Sequence, residues 1–313
     1  MTGVALTKKR NSRRKLTPRR LWQQRYLLLM SVPLLVWLIV FKYIPLWGWT
    51  MAFQEVKPAT FAIPMFERKW VGFDNFLKAF NDRLFAQTMW NTLGVSFIGI
   101  VMGTLVSVGF AVLLNELKFT KFKKITQTVS YLPHFVSWVI IASIAKNFLG
   151  DGGVLDSILG TRLKLMSTDS VLIWFVIVFI DIWKETGWNA IIYLSAMAGI
   201  DSGLYEAASI DGAGRFRRIW HVTLPGIKPT IIILLIMSIG SVLGVGMERQ
   251  MLLSNGVVQD HTMVLSWFSY KRGIGNNNYG LGTAIGMFQS LVGLVLLLIA
   301  NRVAKSVGED SLL

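Results

Sequence analysis

Cysteine is absent from the chain, histidine occurs three times, and only 16% of the residues are charged. The first absence excludes disulfides and thiolate metal sites and says nothing about redox compartment. The histidines, His134, His221 and His261, have no second ligand at i+4, so no metal site is expected. Soluble domains carry about 25% charged residues. The shortfall, with 53% hydrophobic residues and a mean hydropathy of +0.52, indicates an integral membrane protein. No G-x-x-x-x-G-K-S/T phosphate loop, H-E-x-x-H or G-x-S-x-G occurs. No catalytic residue is expected, and energy for any transport has to come from a partner or an ion gradient.

What the chain does have is positive charge, a net +15. Such a balance can mark a nucleic-acid partner, but its distribution argues against one here. Nine of the 32 Lys and Arg residues lie in residues 1–25, with no acid among them, directly before an apolar run. A basic tail in that place is a topology signal that can also touch anionic lipid. The first apolar run is too long for a signal-peptide core and is expected to be retained.

Six segments reach the roughly 20 apolar residues that a bilayer crossing needs: 26–47, 90–114, 125–148, 171–197, 230–247 and 281–300. Their apolar runs are continuous rather than alternating, which excludes a β-barrel and makes the chain all-α and polytopic. Charge tests this assignment independently. With the N-terminus inside, residues 1–25, 115–124, 198–229 and 301–313 together carry 19 Lys and Arg, against ten in the longer outside loops. Both termini are therefore expected in the cytoplasm. The expected organisation is a tail (1–25), one transmembrane bundle (26–305) and a C-terminal tail (306–313). Within the first outside loop, Phe73, Phe76, Leu77, Phe80 and Leu84 recur at helical spacing. They mark a short helix lying on the membrane face or packed on the bundle.

The fourth span carries Asp181, Lys184, Glu185 and Trp188 at i, i+3, i+4 and i+7, on one helical face. Ionisable groups at that depth must turn into the bundle or toward water. They can line a substrate pathway, or Asp181 and Lys184 can pair and lock helices together. Trp183 and Trp188 can offer flat apolar faces to a solute or anchor at the interface. His134 follows Pro133 within the third span, and a pathway role for it and Trp138 stands beside a role as a polar group between helices. Glycines at 94, 99, 103, 240, 244, 282 and 286 suit close helix packing.

Residues 206–230 read EAASIDGAGRFRRIWHVTLPGIKPT. Asp201 or Ser202 can cap a helix that Gly212 and Gly214 end. A second, basic helix follows, which Pro225 and Pro229 are expected to stop. The pattern of Glu206, Ala207, Ala208, Gly212, Ile219, Leu224 and Pro225 resembles the EAA loop of ABC-importer permeases. WVGFDNF at 70–76, LPHFVSW at 132–138 and DIWKETGWNAIIYLSAMAGID at 181–201 look like permeases for oligosaccharides released from polysaccharides.

The resemblance implies a type I importer permease of a bacterial cell membrane. It implies a second, related permease, two ATPase subunits that bind ATP and Mg, and an extracytoplasmic binding protein delivering the sugar. Coupling to the ATPase would fall to Glu206, Ala207, Ala208, Asp211, Gly212, Leu224 and Pro225 in the loop 201–226. The substrate pathway would fall to Asp181, Lys184, Glu185, Trp188, His134 and Trp138. Two other classes compete: a self-sufficient secondary transporter or channel, and a membrane enzyme such as a lipid-linked transferase.

Overall fold

The computed structural model describes residues 22, 24–167 and 170–308. Most of the basic tail and residues 309–313, to which topology and tail roles were assigned above, lie outside the described residues. Two compact units divide the chain, residues 1–50 and 51–313. The first holds α1 (Arg25–Leu38), with Pro33 inside it, followed by a π turn (Ile39–Tyr43). It supplies the first crossing.

The second unit is a helix bundle. Its elements are α2 (Asp74–Phe80), α3 (Phe85–Asn115), α4 (Thr120–Phe135), α5 (Trp138–Leu149), α6 (Val154–Leu159), α7 (Leu172–Ala198), α8 (Ser202–Ile210), α9 (Arg215–Arg218), α10 (Leu224–Gly240), α11 (Met247–Leu253), α12 (Gln259–Thr262), α13 (Leu265–Tyr270) and α14 (Tyr279–Ser306). Among the described residues, five helical stretches are long and apolar enough to cross a membrane: Arg25–Phe53, Phe85–Asn115, Trp138–Leu159, Arg215–Gly240 and Tyr279–Ser306. Helix α7 spans 27 residues, also long enough, but carries Asp181, Lys184 and Glu185 within its apolar sequence.

Two spans differ from the sequence expectation, the fifth at both of its ends. The third is not one helix. It breaks between α4 and α5, where Val136 and Ser137 take extended backbone and the Ser137 hydroxyl caps α5 by accepting from the Ile140 N–H. The basic stretch after Gly214 does not stop at the prolines. It runs on as one helical stretch, Arg215–Gly240. A π turn at Ile219–Thr223 passes the Leu224 N–H back to the Ile219 carbonyl, and Pro225 sits in the first turn of α10, where its missing N–H matters least. The fifth span also ends early, at Gly240 rather than 247.

Beyond Gly240 the backbone leaves the helix until α11 starts at Met247. Carbonyls freed inside a membrane protein need partners. Ser96 donates to the Val242 carbonyl (2.5 Å), Gln289 to Leu243 (2.9 Å) and Ser266 to Val245 (2.8 Å). Helix α3 serves the next irregular stretch in the same way. Asn91 donates to the carbonyls of Asp260 and Met263, and Thr92 accepts from the Leu265 N–H. Polar residues in an otherwise apolar α3 are thus spent on its irregular neighbours.

Helix α2 packs on the bundle: Asn75 and Ala79 are buried, and Asn75 donates to the Ala52 and Gln54 carbonyls. Phe73 and Leu77 remain exposed on its other side. At the same end of the bundle, Asp156 organises the loop after α5. Its carboxylate accepts from the N–H groups of Leu163 (3.0 Å) and Gly152 (2.9 Å). Hydrogen exchange at neutral pH should therefore show the Leu163 amide losing protection in Asp156→Ala. Unchanged protection would remove this role.

Candidate functional site

The charged face of α7 separates into two arrangements. Asp181 pairs with Arg249, in the first turn of α11 just after the non-helical 241–246. The expected Asp181–Lys184 pair does not form, because Lys184 turns the other way, toward α4. It donates to the His134 carbonyl (2.7 Å) and to Glu185 (2.9 Å), and is only 4% exposed. Glu185 also meets His134 Nδ1 at 2.6 Å. The His134 ring stacks on Trp188 with centroids 4.3 Å apart and planes within 2°. Lys184 Nζ lies 5.5 Å from the centre of the Trp138 ring. A buried ammonium with a carbonyl oxygen, a carboxylate and an aromatic face around it is compensated without water.

Helices α4 and α7 can approach this closely because residue 187 is glycine. A Cβ there would lie 2.0 Å from the Ser130 carbonyl oxygen.

In front of this network lies a cleft of about 370 Å³. Asp181, Glu185, Thr186 and Asn189 of α7 line it, with Ser96, Gly99, Gly103 and Ser107 of α3, Ser238 of α10, residues 241, 242 and 244–246, and Arg249. Gly99 and Gly103 therefore open space beside the cleft rather than bring helices together, and a Cβ at either would meet nothing within 4 Å. Of the six residues assigned to the pathway, Asp181 and Glu185 line the cleft. Lys184, His134, Trp138 and Trp188 form the layer behind Glu185 and are absent from its wall. Sequence reasoning missed Arg249, Thr186 and Asn189. The pair Gly244 and Gly246 before a lone arginine was the available signal for the first.

At the end of the bundle where α7 finishes, α8 projects with no buried residue. Asp201 caps it by accepting from the Gly203 N–H (2.9 Å). Its other end is a Schellman turn: the Gly212 N–H donates to Ser209, the Ala213 N–H to Ala208, and Gly212 takes φ +73°. Glu206, Ala207, Asp211 and Gly212 are exposed, and Ala208 is half-buried. Leu224 and Pro225 are not on this hairpin but in the first turn of α10. Among the described residues no cluster of three or more His, Asp or Glu could hold a metal ion.

Apolar helices around a polar, ion-paired cleft, with a small-residue helix projecting at one end, define a polytopic membrane transport subunit. The chain belongs to the family described as binding-protein-dependent transport system inner membrane component, which matches residues 98–309. It is thus a multi-pass inner-membrane permease subunit of an ABC importer. It is 38% identical over 300 residues to the polygalacturonan/rhamnogalacturonan transport system permease protein YteP of Bacillus subtilis (strain 168), covering 94% of this chain and 92% of that one. A solved bacterial ABC transporter involved in import of the acidic polysaccharide alginate is 33% identical to it, with a TM-score of 0.81 over 92% of this chain and 98% of that one. The alginate transporter in complex with an alginate pentasaccharide-bound periplasmic protein is 32% identical, also with a TM-score of 0.81, over 94% of this chain and 99% of that one.

Proposed function

We propose that the chain forms half of the translocation pathway of an ATP-driven oligosaccharide importer, crossing the membrane six times with both termini in the cytoplasm. The tail (1–25), bundle (26–305) and C-terminal segment (306–313) keep the roles expected from charge and hydropathy. A second, related permease supplies the other half. Two ATPase subunits hold ATP and Mg, and an extracytoplasmic binding protein delivers the sugar. The cleft carries the reading: its wall is built from hydroxyls, an amide and a compensated ion pair, a surface suited to a hydroxylated solute. Asp181, Glu185, Arg249, Thr186 and Asn189 are its contact candidates. Lys184, His134, Trp138 and Trp188 position Glu185 from behind. The names of its relatives support a polysaccharide-derived substrate.

Glu206, Ala207, Ala208, Asp211 and Gly212 form the ATPase-docking element, with Leu224 and Pro225 at its base. Ala207 is exposed on α8, so Ala207→Trp fits this chain but blocks a groove on a partner. It should insert normally and lose nearly all transport, as uptake into proteoliposomes will read. Normal uptake would remove the docking role.

The reading as a whole is tested on the complex purified through this chain. Mass measurement should find a second permease and an ATPase, and galacturonate oligosaccharides offered with the binding protein should be taken up only with ATP. Gradient-driven uptake by this chain alone would overturn it.

A further inference from the structure

The projecting helix α8 is not loosely tethered. Tyr205, on its inner side, places its hydroxyl 3.0 Å from the Thr223 hydroxyl. Thr223 is 1% exposed and belongs to the π turn that leads into α10. One turn further along α8, Ser209 accepts from Arg218 Nη1 at 3.0 Å. At the root of the hairpin, Ile200 fills the space beside Gly226: a Cβ there would stand 2.6 Å from Ile200 Cδ1. So three contacts, two polar and one apolar, join the hairpin's first arm to the helical stretch Arg215–Gly240 along its base.

That stretch ends at the non-helical segment 241–246, which lines the cleft. A helix is stiff along its axis, whereas a hairpin joined through glycine is not. Whether displacement of α8 reaches the cleft therefore depends on the contacts that bind its two arms into one body. The Ser209–Arg218 contact is exposed and replaceable by water, whereas the Tyr205–Thr223 bond is part-buried; the worth of both here is geometric, since each fixes the angle between α8 and the stretch that follows.

We propose that Tyr205, Thr223, Ser209 and Arg218 form a polar clasp that fuses the docking hairpin to the fifth crossing, making them positioning residues for the coupling of ATP hydrolysis to transport. This rests on the importer reading above. Without the clasp, α8 still docks, because its exposed face is intact. Its movement is then absorbed at Gly212 and Gly214 instead of passing to 241–246.

The experiment uses the whole reconstituted complex and reads sugar taken up per ATP hydrolysed, with galacturonate oligosaccharide as probe. Tyr205→Phe and Thr223→Val each delete one hydroxyl of the same bond with little change of shape. Each should lower the ratio about three- to tenfold while the ATPase still co-purifies and hydrolyses ATP. Because the two act through one bond, the double variant should be no worse than either single, and Thr223→Ser should keep the wild-type ratio. An unchanged ratio in the singles, effects that multiply in the double variant, or loss of the ATPase from the complex would each overturn the clasp. Failure of the importer reading looks different: the wild-type complex itself would show no ATP-dependent uptake.

Discussion

Arg249→Leu is expected to destabilise the protein by about 3 kcal/mol, the low end of the range for stranding one charge of a buried pair. It leaves the Asp181 carboxylate without its partner inside the bundle. The low end applies because the side chains are 14% and 24% exposed, so the cleft hydrates them in part. Asp181→Leu should cost a similar amount. Replacing both should recover stability to within about 1 kcal/mol of wild type, since an ion pair removed whole takes its desolvation cost with it. Thermal denaturation of the detergent-purified complex reads all three. A double variant as unstable as the singles would show that the pair is not the unit. Transport then separates structure from pathway: the stable double variant should still fail to move sugar, because both residues line the cleft.

Gly187→Val is expected to have a still larger effect, preventing the bundle from accumulating in membranes. The added Cβ would fall 2.0 Å from the oxygen and 2.4 Å from the carbon of the Ser130 carbonyl, backbone atoms that cannot rotate aside. Helices α4 and α7 would have to separate, taking apart the 2.6 Å contact of His134 with Glu185 and the bond from Lys184 to the His134 carbonyl. Clashes of this kind lie in the tail of mutational effects, above about 4 kcal/mol. Gly109→Ala makes the control. It is a glycine of the same bundle with nothing within 4 Å of its missing Cβ, and the change should be neutral or stabilising by up to about 1 kcal/mol. Size-exclusion profiles of solubilised membranes compare the two. Equal yields would mean the close approach is not required.

The long apolar runs were readable because a bilayer imposes one dominant requirement, length of greasy helix. The docking hairpin was readable because its capping residues and glycines act locally: Asp201, Gly212 and Gly214 do their work within a few residues. Neither condition holds at the breaks. The third crossing opens at Val136 and Ser137, not at the conspicuous Pro133, which α4 tolerates three residues from its end. Pro225 and Pro229 likewise read as stops, but Pro225 sits in the first turn of α10, where its missing donor matters least, and α10 continues through Pro229. The fifth crossing unwinds at 241–246 because Ser96, Gln289 and Ser266, distant in the chain, supply its hydrogen bonds. For Asp181 the sequence offered only Lys184 as a pairing alternative, because helical spacing knows only neighbours on one helix. Its partner lies on another element altogether, and only the fold brings Arg249 to it.

The division of the α7 charges also has a consequence for the order in which the protein is made. His134 precedes α7 in the chain, so Lys184 and Glu185 meet their partners as soon as they leave the ribosome. Asp181 does not: Arg249 is translated 68 residues later, a delay of roughly 3–14 s at ordinary elongation rates of about 5–20 residues per second. For that interval the fourth crossing carries an unmatched acid and too much charge to settle in lipid unaided. Release of the fourth crossing into lipid should therefore be delayed until Arg249 emerges, as crosslinking of stalled nascent chains to the insertion machinery will read; release before that residue is made would remove this consequence.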